Sequence, residues 1–405
     1  MKRVAVIAEY IPFHNGHHNL EKAIIDRLGK DTEIVIIMSG SFVQRGEPAL
    51  FDKWHRASWA LSYGADVVIE LPLVYAVSSA SGFANGAVRL AAALGCHTIA
   101  CGVETGTAED FYQLATEAVR LNTLPITRDH QGKPFGQYVT EELCHRCPAQ
   151  KHLLTSPNAL LALEYTKAMI TYAPEMKLLP IRRLGTTHDE AITHAAFASA
   201  SSLRAYITAG KASCVGPYVP NLVNNDIQAL LHQGRVTAYS RYHDIVLYAN
   251  RLTTPEQLRS YPAFTEGIEY RWHRVMAASP TWDEAISTIK TKRYTYSRLC
   301  RMGVYTTLQI PQSLLSQSYK EGPQYARLLG LTRRGGTIMK ESKKNIPIIT
   351  KIKTNSNALS SLGQLQLHYD IRGTDIQSLS MKDSAFRRGQ QDFTTSPYII
   401  SSTEI

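Results

Sequence analysis

Three histidines within five residues, His14, His17 and His18, surround Gly16 where a short apolar run hands over to a helical one. The run from Arg3 to Tyr10 (RVAVIAEY) has the pattern of a strand buried on both faces of a parallel sheet. Pro12 forbids its simple continuation, and Gly16 lets the backbone turn tightly and approach a ligand. Leu20, Ile24, Ile25 and Leu28 then keep helical spacing, which predicts a helix opening at His17 or His18. A helix N-terminus directly after a buried strand offers free N–H groups and a positive dipole end to a phosphate chain. His14 and His17 flank that place. Each can donate to a phosphate oxygen as charge builds at an α-phosphorus under attack, with pyrophosphate leaving. Two other readings stay open at this point: the histidines could simply cap the helix, or His14, His17 and His18 could ligate a metal, although no carboxylate lies close enough in sequence to complete a shell.

The pattern recurs for a hundred residues. Strand-like runs at Glu33–Ser39, Asp66–Leu71 and His97–Val103 alternate with helical stretches at Asp52–Tyr63, where Asp52 reads as the N-cap, and Ser78–Leu94. Strands separated by helices of about a dozen residues mean βαβ units, hence an α/β, Rossmann-like parallel sheet with right-handed crossovers. Met176–Pro180 reads as a fifth strand and Ser199–Ala209 as a further helix. From about Val215 the texture turns helical, and after Gln317 a basic stretch begins, with Lys344–Lys351 as a candidate strand. The expected organisation is a catalytic domain over 1–210, a mainly helical domain over 211–315 and a small basic C-terminal module over 316–405.

The chain of 405 residues carries a net charge of +10, and a basic balance favours polyanionic partners, nucleic acid first. From Lys320 to Asp392 there are 13 Lys and Arg against 6 Asp and Glu. Arg333, Arg334, Lys343 and Lys344 are therefore candidate nucleic-acid contacts, with a merely solvated basic surface as the alternative. Arg45 and Lys53, which follow the second strand, are candidates for nucleic-acid backbone or substrate contacts, with plain surface charge as the alternative. No apolar run reaches the roughly 20 residues of a membrane span, and Met1-Lys2-Arg3 does not lead into a signal peptide, so a cytoplasmic location is expected. Six scattered cysteines do not make a disulfide framework; Cys144-His145-Arg146-Cys147 has the spacing of half a zinc site with no second half. Neither a P-loop nor a Gly-x-Gly-x-x-Gly fingerprint is present.

Ser201, Ser202 and Arg204 lie at the start of a downstream helix, where hydroxyls, N–H groups and a guanidinium could hold the β- and γ-phosphates, or where the serines could simply cap. Together with the His-x-Gly-His turn this segment resembles the HxGH nucleotidyltransferase superfamily. The stretches VIAEYIPFHNGHHNL, MSGSFVQRGEPALFDKWHRASWAL, GADVVIELPLVYAVSSA and SPNALLALEY are similar to the bacterial tRNA(Met) cytidine acetate ligase family, and the likeness spans most of the chain. It implies a two-step reaction. Acetate attacks the α-phosphate of ATP to give acetyl-adenylate, and the exocyclic amine of the wobble cytidine in elongator tRNA(Met) takes the acetyl group, giving N4-acetylcytidine. ATP would be a substrate, accompanied by Mg2+, and acetate and tRNA the partners, with no protein partner and no resident metal expected.

By position, the resemblance assigns His14 and His17 to catalysis. It lines the ATP site with Ile7, Ala8, Glu9, Tyr10, Ile11, Pro12, Phe13, His14, Asn15, Gly16, His17, His18, Asn19 and Leu20, joined by Gly102, Asn158 and Arg183. Arg182 leaves a one-residue ambiguity at the last of these. His188-Asp189 also matches the family, whereas Gly185-Thr186-Thr187 departs from its usual Gly-Ala-Gly-Tyr. Two further functions remain to be separated: a nucleotidyltransferase acting on a small phosphorylated metabolite, and a non-catalytic RNA-binding protein on a degenerate nucleotide fold.

Overall fold

A computed structural model describes residues 2–123, 135–183 and 198–400. His188-Asp189 and the Gly185–Thr187 departure lie outside them. The strands are β1 (Arg3–Ala8), β2 (Glu33–Ser39), β3 (Phe42–Val43), β4 (Glu47–Pro48), β5 (Val67–Leu71), β6 (Thr98–Val103), β7 (Lys177–Arg182), β8 (Ala326–Thr332), β9 (Ile348–Ile349) and β10 (Tyr398–Ile400). The main sheet runs in the order β10-β8-β5-β2-β1-β6-β7, with β9 beside β8, while β3 and β4 form a separate small hairpin. Strands β5, β2, β1, β6 and β7 are mutually parallel.

Both faces of this parallel block are covered, which is why its strands read as continuous apolar runs. Val4 and Val6 of β1, Ile34, Ile36 and Met38 of β2, and Val68 of β5 pack with the helices Asn15–Leu28 and Lys53–Ser62. Ala5, Val35, Ile37, Val67 and Ile69 face the opposite way, into a core shared with the helices Ala80–Ala93, Ala108–Thr123 and Pro157–Tyr172. The period-2 alternation of the pleat thus feeds two cores from one run of residues. Chain order moves outward from β1 through β2 to β5, then jumps back past β1 to β6 and β7. The reversal lies between β1 and β6, and ligands of open α/β sheets bind outside the strand C-termini at such a point.

Beyond the sheet, the helices Asn221–His232, Tyr239–Arg251, Ile268–Ala278, Trp282–Ile289, Tyr296–Leu308 and Gln312–Glu321 follow one another with no strand between them among the described residues. The segment expected as a separate module over 316–405 is not set apart. Strand β8 adds to β5 in antiparallel sense and β10 adds to β8, so the C-terminal chain completes the main sheet. Of the expected strand over Lys344–Lys351, only the two residues of β9 pair. No helix among the described residues is long and apolar enough to cross a membrane.

Candidate active site

The turn after β1 brings the two histidines to the switch point. The helix begins at Asn15, earlier than its apolar spacing suggests, because His14 caps it with its own side chain: Nδ1 accepts the N–H of Gly16 at 3.1 Å. His17 returns the contact, its Nδ1 accepting the backbone N–H of His14 at 3.2 Å. The rings stack at 3.7 Å with 15° between their planes. Since both Nδ1 atoms are acceptors, both protons sit on Nε2, and no group among the described residues takes up either Nε2. Burial, with Arg183 nearby, lowers the His14 pKa to about 4. Burial, His14 and Arg183 hold His17 well below the usual imidazole range. The pair is therefore two neutral Nε2–H donors. Capping does not exclude phosphate donation here, because the cap uses Nδ1 and leaves Nε2 available.

His18 turns to pack edge-on against Tyr63, so the third histidine does not join the stacked pair. Among the described residues no group of three His, Cys, Asp or Glu side chains could hold a metal. Tyr10, Ile11, Pro12 and Phe13 bury their side chains and can meet a nucleotide only through backbone atoms; Glu9, Asn15, Gly16 and Asn19 stay partly open. Ile7 and Leu20 pack against the two cores, and Ala8 is buried at the end of β1.

Across the crevice, Gly102 sits in β6 opposite Ile181 of β7. A Cβ at Gly102 would come within 3.1 Å of the Arg183 Cγ, so the glycine makes room for the aliphatic stem of that arginine. Arg183 is the member of the arginine pair whose charge acts on both histidines, whereas Arg182 is exposed at the end of the strand. Asn158, in the first turn of its helix, donates to Glu104 just beyond β6 at 2.5 Å. The helix Ala200–Thr208 docks its N-terminus on the same edge. Ser199 is its cap, accepting from the Ser202 N–H, and Arg204 donates to the Ile11 carbonyl at 3.3 Å and to the Ser201 hydroxyl at 3.1 Å. The Ser201–Arg204 segment and the His-x-Gly-His turn are thus neighbours, although nearly 190 residues apart in sequence.

Glu9 closes the near wall. Its carboxylate accepts the Gln44 N–H at 2.7 Å, and burial pushes its pKa up against the pull of Arg204, Arg45 and Arg56. Arg56 went unnoticed in the sequence, where it reads as one more surface arginine on a helix. It is fully buried and donates to the carbonyls of Phe51, Glu9, Ser39 and Gly40, tying the C-terminal ends of β1 and β2 together. No sequence signal distinguishes it.

Two expectations change. Lys53 is fully buried between Glu70 and Asp392, 2.8 Å from each, and cannot touch RNA; its charge is compensated by those two carboxylates. Arg334 is bound through two nitrogens to Asp66, both at 2.7 Å. Asp66 directly precedes β5 and Arg3, which begins β1, pairs with Glu341, so the helix Arg333–Ser342 lies at the N-terminal edge of the parallel strands. Arg333, Lys343 and Lys344 are exposed there. At about 3.3 Å per residue, six-residue strands put them roughly 20 Å from the histidine edge.

A sequence model of the HIGH nucleotidyl transferase family matches residues 1–392. A tRNA(Met) cytidine acetate ligase of Latilactobacillus sakei is 35% identical over 375 residues, 91% of this chain and 93% of that protein. One from Listeria monocytogenes is 32% identical over 98% of this chain and all of its own length. Among solved structures, Thermotoga maritima TmcAL bound with alpha-thio ATP superposes with a TM-score of 0.90 at 26% identity, covering 99% of this chain and 100% of that one. The chain belongs to the tRNA(Met) cytidine acetate ligase family of HIGH nucleotidyl transferases.

Proposed function

We propose that this enzyme activates acetate with ATP to acetyl-adenylate and passes the acetyl group to the N4 amine of the wobble cytidine in elongator tRNA(Met), giving N4-acetylcytidine. The observation that carries the first step is the stacked pair of neutral Nε2–H donors at the switch point, with Arg183 beside it. An acetate oxygen attacks the α-phosphorus and pyrophosphate leaves. Charge developing on the non-bridging oxygens meets donors already oriented by their own helix cap, so little reorganisation accompanies the step. In this reading Arg204, with Ser201 and Ser202, holds the departing β- and γ-phosphates; its nearness to the turn supports that role. The described residues have no carboxylate cluster of their own for Mg2+, which would arrive with the triphosphate. The printed names of the relatives support tRNA(Met) cytidine as the acceptor.

Acetate-dependent ATP–pyrophosphate exchange, followed by acetate- and ATP-dependent labelling of tRNA, tests this reading. Exchange that ignores acetate, or labelling supported by acetyl-CoA without ATP, would overturn it. Nucleotide transfer to a phosphorylated metabolite without tRNA would move the assignment to that chemistry.

A further inference from the structure

Lys290, Lys292, Arg293, Arg298 and Arg301 fall within twelve residues that contain no Asp or Glu, interleaved with Tyr294 and Tyr296. The fold carries this segment to the histidine edge of the sheet. Gly46, in the turn between β3 and β4, packs so closely on the backbone of Cys300 and Arg301 that a Cβ there would lie 2.3 Å from the Arg301 nitrogen. Arg301 donates to the Gln44 carbonyl at 3.1 Å, and the N–H of the same Gln44 binds Glu9 of the active site. One residue therefore separates Arg301 from the catalytic wall.

Apart from Arg293, the charges here have no carboxylate partner among the described residues. Arg301 is largely enclosed, has no carboxylate partner among the described residues, and has Tyr305, Tyr319 and a second cation, Arg298, around it. Arg298 lies over the Tyr294 ring at 4.7 Å, and Lys290 and Lys292 are exposed. Tyr296 is 40% exposed, with its hydroxyl 3.4 Å from Glu47. Arg45, exposed in the adjoining turn, extends the patch toward Glu9. Arg293, paired with Glu266, is the one cation of the stretch with an acidic partner among the described residues. Cations without carboxylate partners beside the exposed ring of Tyr296, with Arg298 backed by the buried Tyr294, fit a phosphodiester backbone with an unstacked base.

We infer that the rim formed by Arg45 and residues 290–301 is the surface on which the RNA substrate docks, rather than the basic C-terminal stretch. The inference rests on the tRNA reading above and specifies where the acceptor strand approaches. A base held at this rim lies on the same edge as the adenylate, whereas RNA bound at Arg333, Lys343 and Lys344 is a strand's length away.

The test compares two charge-reversed pairs in the full chain, Lys292→Glu with Arg298→Glu, and Lys343→Glu with Lys344→Glu. Each is assayed for binding of elongator tRNA(Met) transcript over a salt series and for acetate-dependent pyrophosphate exchange. Reversal at 292 and 298 is expected to weaken tRNA binding at least about tenfold and to reduce the salt slope by about two, with exchange showing the nucleotide site intact. Reversal at 343 and 344 is expected to change affinity less than about twofold. Equal losses, or a loss confined to 343 and 344, overturn the assignment. A wild-type enzyme that exchanges but binds no tRNA removes the RNA surface and keeps the adenylation reading. Wild-type tRNA binding that depends on the rim, without exchange, does the reverse.

Discussion

His14 divides two tasks between two nitrogens, and substitutions can separate them. Asparagine is a good N-cap, so His14→Asn should keep the helix start while losing the donor that Nε2 supplies. Pyrophosphate exchange is expected to fall about 10²–10³-fold with little change in Tm. His14→Ala loses both and should cost about 1 kcal/mol of stability as well. If His14→Asn exchanged like wild type, the histidine would be only a cap. Burial also sets a pH signature. The folded pKa of His14, about 4, lies below the imidazole value of 6.5, so its neutral form contributes stability that is complete above pH 6.5 and lost as pH falls toward 4. An NMR titration of the apo-enzyme should place the His14 inflection near 4 and show Nε2-protonated tautomers for both rings. An inflection near 6.5 would contradict the capped, enclosed geometry.

The helix Lys53–Ser62 shows how an element can mislead when its residues are read singly. Asp52 was legible as its N-cap and does accept the N–H groups of Trp54 and His55, both at 3.1 Å. Lys53 reads from the sequence as a surface cation and Arg56 carries no signal at all, yet both are fully buried. Their burial depends on acceptors supplied from elsewhere: Glu70 and Asp392 for the lysine, three loop and strand-end carbonyls besides Phe51 for the arginine. Arg56→Met keeps the volume but strands those carbonyls. It should destabilise the fold on the order of 3 kcal/mol, seen in the denaturation midpoint, and loosen the Glu9 wall enough to raise the KM for ATP. An unchanged midpoint would mean that water replaces the guanidinium without cost.

At the scale of the molecule, the C-terminal chain is held to the catalytic sheet by buried charge. Arg327 of β8 pairs with Asp392 at 2.7 Å and with Glu70 at 3.4 Å, beside the Lys53 contacts. Asp370, from the helix Ser361–Leu379, accepts the Leu73 N–H at 2.7 Å and meets the Tyr325 hydroxyl. Two cations against three carboxylates leave one carboxylate in excess. Burial and the neighbouring Glu70 push Asp370 up to about 8, which identifies it as the one that stays protonated. Its folded pKa is above the unfolded value of 3.8, so the unfolded chain gives up this proton first. The stability this group contributes is full at acid pH and declines as pH rises through the interval up to 8. Asp370→Asn should flatten the loss of Tm between pH 5 and 8 relative to wild type. A variant as pH-sensitive as wild type would place the charge deficit on another group.

Local pattern was enough for the parts of this protein whose causes are local. Apolar runs of strand length, the break at Pro12, the glycine before a helical period and the two histidines three residues apart specify a strand-to-helix turn with paired imidazoles, and β2 falls where its run of buried residues lies. The Ser201–Arg204 segment was also visible, although only folding brings it against Ile11. Long-range pairing decided the rest. The sequence ARLLGLT of β8 sits between a helix and an arginine pair and has no hydrophobic alternation of its own. It becomes a sheet strand because β5, some 260 residues earlier, leaves an unpaired edge. The same pairing sends the helix Arg333–Ser342 to the far edge of the sheet and encloses Lys53. Charge along a chain says how much positive surface can exist; the strand order decides which of it shares an edge with the histidines.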